Sequence, residues 1–452
     1  MDIQVARLRE VLGLLKPVIL RKTPLPALTY VLFKDGKAVG TNLETMVIVQ
    51  VPEADIDCLI PYNDVVAMLQ YVQGLKTLHI EPKDGKVTMS WADGKSTFGT
   101  RDVGEFPNVP EFVPTVEADI DIDTLIPAMY EAMSFAATED ARPVLQAVSL
   151  ILGDEVAVAA GDGFRMAHKT LPLSFPQESI LVVPLGSVKA LKLLWDKTPR
   201  TPPASDFLIP AIMAKKRASL ALDGETGLRF IFGDSTTAIV KLLDGSPPDW
   251  LKLMPNKEPV LKASVMGSEM ELAVRRVLPV AKMGTNIARL AFNDDTVTVS
   301  AKYEGQEVES TVKVLMSQGA PGNVALNATF LLDYLKGKDG VVILSWEGQS
   351  SPLLFNHRKN PTVLIMPMMV TEAADEVEPA EEEEAVAAEA EEVEEIKEGA
   401  ELEAETAELG PDEEVAADEV EPVEEEEAEA AGEPEAEPVA ATKPARKKRT
   451  KK

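Results

Sequence analysis

The chain has 452 residues, enough for two to four domains of ~100–200 residues each. It carries 75 acidic and 45 basic residues, a net charge of −30, which taken whole argues against a nucleic-acid partner. A single cysteine, Cys58, excludes a disulfide framework and suits a reducing compartment. No apolar run reaches the ~18–20 residues that cross a bilayer. The opening MDIQVARLRE has neither the basic nor the apolar region of a secretion signal, so the sequence reads as soluble and cytoplasmic.

In chain order the elements recur. An amphipathic helix opens the chain (VARLREVLGLLK), with Val5, Leu8, Leu12 and Leu15 as its apolar stripe, Arg7 opposite, and Arg9 and Lys16 at the edges. Alternating strands follow in YVLFKDGKAVGTN, then a β-run, turn and short helix from Leu59 (LIPYNDVVAMLQYV). LHIEPKDGKVTMSWADGKSTF gives further hairpins, closed by GEFPNVP from Gly104. The order then restarts: a helix in DTLIPAMYEAMSF, strands, the turn and helix of LVVPLGSVKALKLLW, and GSPPDWLKLMP from Gly245. A third round begins with GSEMELAVRRVLPVAK, where Met270, Ala273, Val274, Val277, Leu278 and Ala281 share one side while Arg275, Arg276 and Lys282 leave from the other. LAFNDDTVTVSAKYEGQEV and VALNATFLLDYLKG continue it. The class is α+β with antiparallel sheet, in three copies over residues 1–115, 116–257 and 258–370.

Split by segment, the charge changes meaning. Residues 371–452 hold 32 acidic and 8 basic residues, net −24; residues 1–370 hold 43 and 37, net −6. The tail has no Phe, Trp, Tyr, Gln or Cys, so it cannot bury enough apolar surface to offset its chain entropy and is expected to be disordered. In the body, basic residues recur on helix faces, with Lys189 and Lys192 three apart and Lys215-Lys216-Arg217 beyond. Each such face reads either as a solvated charged surface or as part of one surface that meets phosphate.

Recognisable chemistry is absent. Gly94-Lys95-Ser96-Thr97 lacks the upstream glycine of a phosphate loop, Met89 standing in its place, and reads as a hairpin turn. Gly161-Asp162-Gly163 lacks the third glycine of a dinucleotide fingerprint. His79, His168 and His357 have no partner at metal-ligand spacing, and Asp119, Asp121 and Asp123 read as a strand edge rather than a cation site. With no G-x-S-x-G elbow and no acid–base constellation, binding or scaffolding is favoured over catalysis, with no cofactor and no metal.

FAATEDARPVLQAVSLIL and VAAGDGFRMAHKTLPL, from Phe135 to Leu173, resemble the middle domain of the bacterial DNA sliding clamp, the DNA polymerase III beta subunit. LLDGSPPDWLKLMP, VALNATFLLDYL and VLIMPMMV match later stretches of that family in order, and RKTPLPALTYVLF and GEFPNVP agree in the first domain. The resemblance covers residues 1–370 and implies a three-domain DNA clamp fold, with antiparallel sheets outside and helices lining a central hole. It implies a non-catalytic processivity factor of DNA replication, a head-to-tail homodimer that encircles double-stranded DNA without reading sequence. The implied partners are the replicative polymerase, the clamp loader and repair proteins, with no membrane.

Carried over by position, the family's partner-peptide pocket takes Leu145, Gly161, Gly163, Phe164, Arg165, Met166, Pro248, Lys252 and Leu253 from the second domain. Asn327, Phe330, Ser351, Leu364, Met366, Pro367, Met368 and Met369 come from the third. Arg165 and Asn327 are expected to hold a peptide's polar atoms. The implied DNA contacts are Lys22, Arg7, Arg142, Lys189, Lys192, Lys215, Lys216, Arg275 and Arg276. The dimer contact is expected to join the strand around Phe98 to the helix around Leu278 of a second copy. The chain departs from the family at Gly161 (usually threonine), Phe164 (usually histidine or tyrosine) and Met369 (usually basic), and Pro279 is expected to kink its helix. The tail, ending in KPARKKRTKK, reads either as a tethered regulator of the pocket or ring, or as a solubilising extension. Two other classes stay open: an enzyme with an unrecognised site, and an acidic-tailed DNA-associated scaffold or chaperone-like protein.

Overall fold

A computed structural model describes residues 1–369, apart from 75, 139–141, 199–216, 224–226, 234, 349–350 and 359–360. The tail from 371 onward, with Lys215 and Lys216, lies outside the described residues. The described residues fall in one compact unit, and every strand pairing among them is antiparallel.

One order of elements occurs three times. The first round is β1 (Asp2–Gln4), α1 (Val5–Leu15), β2 (Tyr30–Lys34), β3 (Lys37–Thr41), β4 (Thr45–Gln50), β5 (Cys58–Pro61), α2 (Tyr62–Leu69), β6 (Thr77–Lys83), β7 (Lys86–Trp91) and β8 (Gly94–Gly99). The second is β9 (Val116–Asp121), α3 (Ile122–Met133), β10 (Ala147–Leu152), β11 (Val156–Gly161), β12 (Arg165–Leu171), β13 (Ser179–Pro184), α4 (Leu185–Lys197), β14 (Arg217–Asp223), β15 (Gly227–Phe232) and β16 (Thr236–Lys241). A single-turn helix, α5 (Trp250–Leu253), precedes the third. That round is β17 (Leu261–Met266), α6 (Gly267–Met283), β18 (Ile287–Phe292), β19 (Thr296–Tyr303), β20 (Gln306–Gly319), β21 (Gly322–Asn327), α7 (Ala328–Leu335), β22 (Val341–Trp346), β23 (Leu353–Asn356) and β24 (Thr362–Ile365).

Local chemistry explains the elements. Asp35-Gly36, Asp84-Gly85 and Glu304-Gly305 each have two successive positive φ angles, the two-residue turn whose twist matches that of its flanking strands. The turn before Lys95 falls on Ala92-Asp93, with Trp91 paired to Gly94, so the phosphate-loop look-alike is a hairpin. Asp121 ends edge strand β9 and caps α3 through the Asp123 N–H, which gives the alternating aspartates a local role. In α1 the expected stripe is buried, with Val11 added to it. Pro279 does not end α6, which runs on to Met283. Among the described residues no helix is long and apolar enough to cross a membrane, and no acid–histidine–cysteine group could hold a metal.

The rounds join by strand pairing. β4 pairs with β16, and β12 pairs with β24, so at each joint the fourth strand of one round meets the last strand of the next. This makes one sheet of order β5-β2-β3-β4-β16-β15-β14-β9 and another that runs from β13-β10-β11-β12 into β24-β23-β22. β8 is left at an edge, and Gln306–Lys313 of β20 pair on one side only, with β19. One apolar core fills the first two rounds together. The third has its own, which Phe135 and Ala167 of the second round enter.

Candidate functional site

At the second joint a small separate cluster forms. Leu145, Met166 and Leu364, all expected pocket residues, pack with Ala137, Ala159 and Trp250. Met166 faces Leu364 across the β12–β24 ladder, and the Met366 N–H donates to the Phe164 carbonyl at 2.8 Å. Trp250 was not expected. It follows the Pro-Asp of a turn, where a solvent-facing residue is the usual reading, yet it is 5% exposed. Gly161 explains its seat: a Cβ there would lie 3.0 Å from the Trp250 ring and 2.9 Å from the Arg165 carbonyl oxygen. The bare glycine thus admits a large indole, whose Nε1 has no hydrogen-bond partner among the described residues.

Around this floor lies exposed apolar surface. Phe164 is 67% exposed, Leu251 65%, Leu253 50%, Met366 40% and Met369 96%. Such a group of large apolar side chains departs from the scattered single exposures normal on a surface. Phe164 is held outward by the turn beneath it. Asp162 Oδ1 accepts from the Phe164 and Arg165 N–H groups, both at 2.9 Å, and Gly163 supplies φ +94°. Pro248 and Pro367 are half-buried at the rim. The Met368 N–H is taken by the Ala325 carbonyl at 2.8 Å. Lys252 is exposed and pairs with Asp249 at 2.8 Å, which raises its ammonium above the ordinary lysine value and lowers the carboxyl. Ser351 sits in the β22–β23 connection, its N–H bonded to the Gly348 carbonyl.

Two of the expected pocket residues also have partners within the fold. Arg165 is spent inside the protein. Its guanidinium pairs with Asp162 and Asp333, each at 3.1 Å, and lies over the Phe330 ring at 4.4 Å and the Phe135 ring at 5.5 Å. Its side chain is 11% exposed, and these contacts make it a strut of the joint. Asn327 is spent too: its Oδ1 caps α7 by accepting from the Thr329 and Phe330 N–H groups, and accepts again from Asn286 Nδ2.

The expected DNA contacts are more dispersed. Lys22 is exposed in the loop before Pro24, and Lys189 is exposed on α4. Arg7 bonds Glu10 at 2.9 Å and the Gln50 carbonyl at 3.1 Å. Lys192 bonds Asp196 and lies over the Trp195 and Tyr130 rings. Arg275 pairs with Glu271, and Arg276 donates to Ser310 Oγ at 3.2 Å. Arg142 stands beside the Gly163 turn instead of on a helix, its Nη2 3.4 Å from where a Cβ on Gly163 would be. Arg9 ties α1 to α2 through the Leu69 and Val72 carbonyls. Lys197, the last residue of α4, lies outside the expected set. It reaches α1 at Gly13, and its ammonium is pushed down by lost hydration and by neighbouring Lys16. Phe98 is half-buried on edge strand β8, and Leu278 is half-buried on α6.

This fold is found in known proteins. The structure superposes on the DNA polymerase III subunit beta of Pseudomonas aeruginosa with a TM-score of 0.72 at 21% identity, covering 82% of this chain and 100% of that one. The Thermotoga maritima beta subunit gives 0.70 at 19%, covering 82% and 99%. The architecture is therefore that of a DNA sliding clamp.

In sequence, residues 252–369 match the model of the DNA polymerase III beta subunit, C-terminal domain. A beta sliding clamp homolog of Streptomyces muensis is 27% identical over 239 residues, 52% of this chain and 59% of that protein. The Micrococcus luteus beta sliding clamp is 25% identical over 252 residues, 53% and 71% of the two chains. The chain is thus similar to the DNA polymerase III beta subunits, the bacterial sliding clamps, in sequence over its C-terminal domain and in fold over 82% of its length.

Proposed function

We propose that this protein is a DNA replication processivity clamp without catalytic chemistry of its own: three clamp domains over 1–115, 116–257 and 258–370, paired head to tail with a second copy in a ring around duplex DNA. The observation that carries this is the strand left open at each end of the repeat series. Both internal joints pair equivalent strands, Met46 opposite Ile239 and Met166 opposite Leu364. The same rule applied once more sets Thr97 of β8 opposite Glu307 of β20 in a second copy, both on the outer face. A heterologous contact that closes after two copies gives a ring rather than a filament. Phe98 and Leu278 would then lie at this contact.

Grip by enclosure fits the dispersed basic residues. A ring needs no tight phosphate cluster, only enough positive charge to keep DNA centred and mobile. Exposed Lys22, Lys189 and Arg276, with partly neutralised Arg7, Lys192 and Arg275, supply a weak contact of that kind. The apolar face at the second joint is the docking site for short peptides of the polymerase, the loader and repair proteins. Methionine there adapts its shape to differing partners.

The reading is tested by solution mass together with retention on DNA. A dimer that stays on nicked circular DNA and slides off the same DNA after linearisation is expected. A monomer, or equal retention on both, would overturn it.

A further inference from the structure

Two turns in the molecule share one geometry. At the second joint Asp162 Oδ1 accepts from the Phe164 and Arg165 N–H groups, and at the first Asn42 Oδ1 accepts from the Glu44 N–H at 3.1 Å and the Thr45 N–H at 2.7 Å. Leu43 has φ +76° where Gly163 has +94°. The Lys241 N–H donates to the Glu44 carbonyl at 2.8 Å, as the Met366 N–H does to the Phe164 carbonyl. Phe106 packs with Val39 and Met46 against Ile239, as Trp250 packs with Ala159, Met166 and Leu364. The first joint thus carries the same framework that holds the apolar face of the second.

What the framework borders differs between the joints. At the first it lines a cavity of about 340 Å³. Leu43, Met46, Ile239, Pro107 and Phe112 supply apolar lining, and among the charged groups Glu44, Glu111 and Asp223 outnumber Lys241. The far wall is held in place. Phe112 lies against bare Gly227, where a Cβ would be 3.1 Å from the ring. The Arg229 guanidinium sits 4.8 Å from the Phe112 ring centre and pairs with Glu117 at 3.1 Å. On the near wall Leu43 is 51% exposed, in a backbone region that glycine enters freely and leucine does not. A strained residue that offers an apolar side chain to solvent points to a contact.

We infer that this cavity is a second docking groove, and that its occupant is a short extended segment of another protein that sets one large apolar side chain beside one arginine or lysine. Size excludes bulkier partners. The volume lies at the low end of the ~300–1,000 Å³ of a ligand site, room for a side chain or two but not for a helix ~10 Å across. The apolar lining takes the first side chain. Three carboxylates to one ammonium take the neighbouring cation, which fixes the direction of the segment more than it tightens the grip. Walls already held in place spare the segment the cost of ordering them. The acidic run 371–437 is no substitute for this groove. It contains no Phe, Trp or Tyr and attracts positive charge of any kind, whereas the groove selects a pair of side chains within a segment of no net charge. The inference rests on the clamp reading only in taking the second joint as the template for docking.

The test uses the full chain and a probe peptide blocked at both ends, Gly-Ser-Glu-Ile-benzoylphenylalanine-Arg-Ser-Gly. The probe has no net charge, so the acidic run gains nothing by drawing it in. Photolysis at about 0.15 M salt and peptide mapping are expected to place crosslinks on 41–46 and 107–112. A Glu44→Lys, Glu111→Lys double variant, Leu43→Gly, and a probe with citrulline in place of arginine should each cut the yield there about five-fold. Leu43→Gly also relieves the backbone, so its unfolding midpoint should be no lower than that of the parent chain. Crosslinks that miss both stretches, whether they fall on the second joint or on 371–452, or yields unmoved by these changes, would overturn the inference. So would a yield that falls as the protein concentration rises under excess probe, which would give the groove to a second copy of the chain. Retention on circular DNA is read separately: its loss with the crosslinks intact removes the clamp reading alone, and the reverse removes only the groove.

Discussion

At the first joint the strands meet over small and aliphatic groups, and Thr45 Oγ1 donates to Ser187 Oγ at 2.7 Å in a fully buried contact. At the second joint the residue in the place of Thr45 is Arg165, held by two carboxylates and two aromatic rings. One apolar core runs through the first joint, with Leu43 exposed at its rim, whereas the second divides two cores and leaves five large side chains exposed, Phe164, Leu251, Leu253, Met366 and Met369. Equivalent strand pairing thus supports opposite outcomes. A joint that shares its core becomes rigid scaffold with a cavity at its rim. A joint held by a charged strut can keep apolar surface in water, because its cohesion does not depend on covering that surface.

The strut gives the largest way to break this contrast. Arg165→Ala leaves Asp162 and Asp333 without their partner and strips the cover from Phe330. A loss of about 3 kcal/mol is expected, read by urea unfolding, with hydrogen exchange quickening along β12 and β24 but not along β4 and β16. Gly161→Thr comes next. Its side chain would meet the Trp250 ring, so an overpacking cost of about 2 kcal/mol is expected, part of which Trp250→Tyr should restore in the double variant. Full additivity would show that the two residues do not share the site.

At the first joint, Thr45→Val should cost only about 1 kcal/mol in the same measurement, since one hydrogen bond is lost and the volume is kept. The smallest effect is one of pH. Burial holds the His168 imidazole on β12 below its ordinary value of 6.5. The neutral ring therefore suits the folded state, and its contribution is lost as pH falls from 6.5 toward the lowered folded value. Hydrogen exchange at β12 and β24 should quicken over that window and stop doing so in His168→Gln, while β4 and β16 are unmoved.

Much of this was legible in the sequence. Asp-Gly and Glu-Gly pairs between alternating strands dictate their turns, because few residues other than glycine accept two left-handed positions in succession cheaply. The apolar stripe of α1 follows from helical spacing. What escaped was whatever depends on partners distant in the chain. Arg165 and Asn327 are polar residues in a recognisable stretch, and nothing local tells that their donors and acceptors are consumed within the fold. Trp250 hides in a turn-like Pro-Asp-Trp. The twin turns Asn42-Leu43-Glu44 and Asp162-Gly163-Phe164 share no residue, but each places Asn or Asp four residues before a methionine that begins a cross-joint pair. That spacing is the signal that could have found the first joint's groove.

The joint rule itself is tested most directly by closing a third joint between chains. In a variant with Thr97→Cys and Glu307→Cys, buried Cys58 stays inert while a short bismaleimide bridges the new thiols. The expected product is a covalent dimer in high yield that, once crosslinked on nicked circular DNA, remains on that DNA in denaturant. Monomers only, or a dimer that denaturant strips from the circle, would contradict a ring closed by the same strand pairing that joins the repeats within one chain.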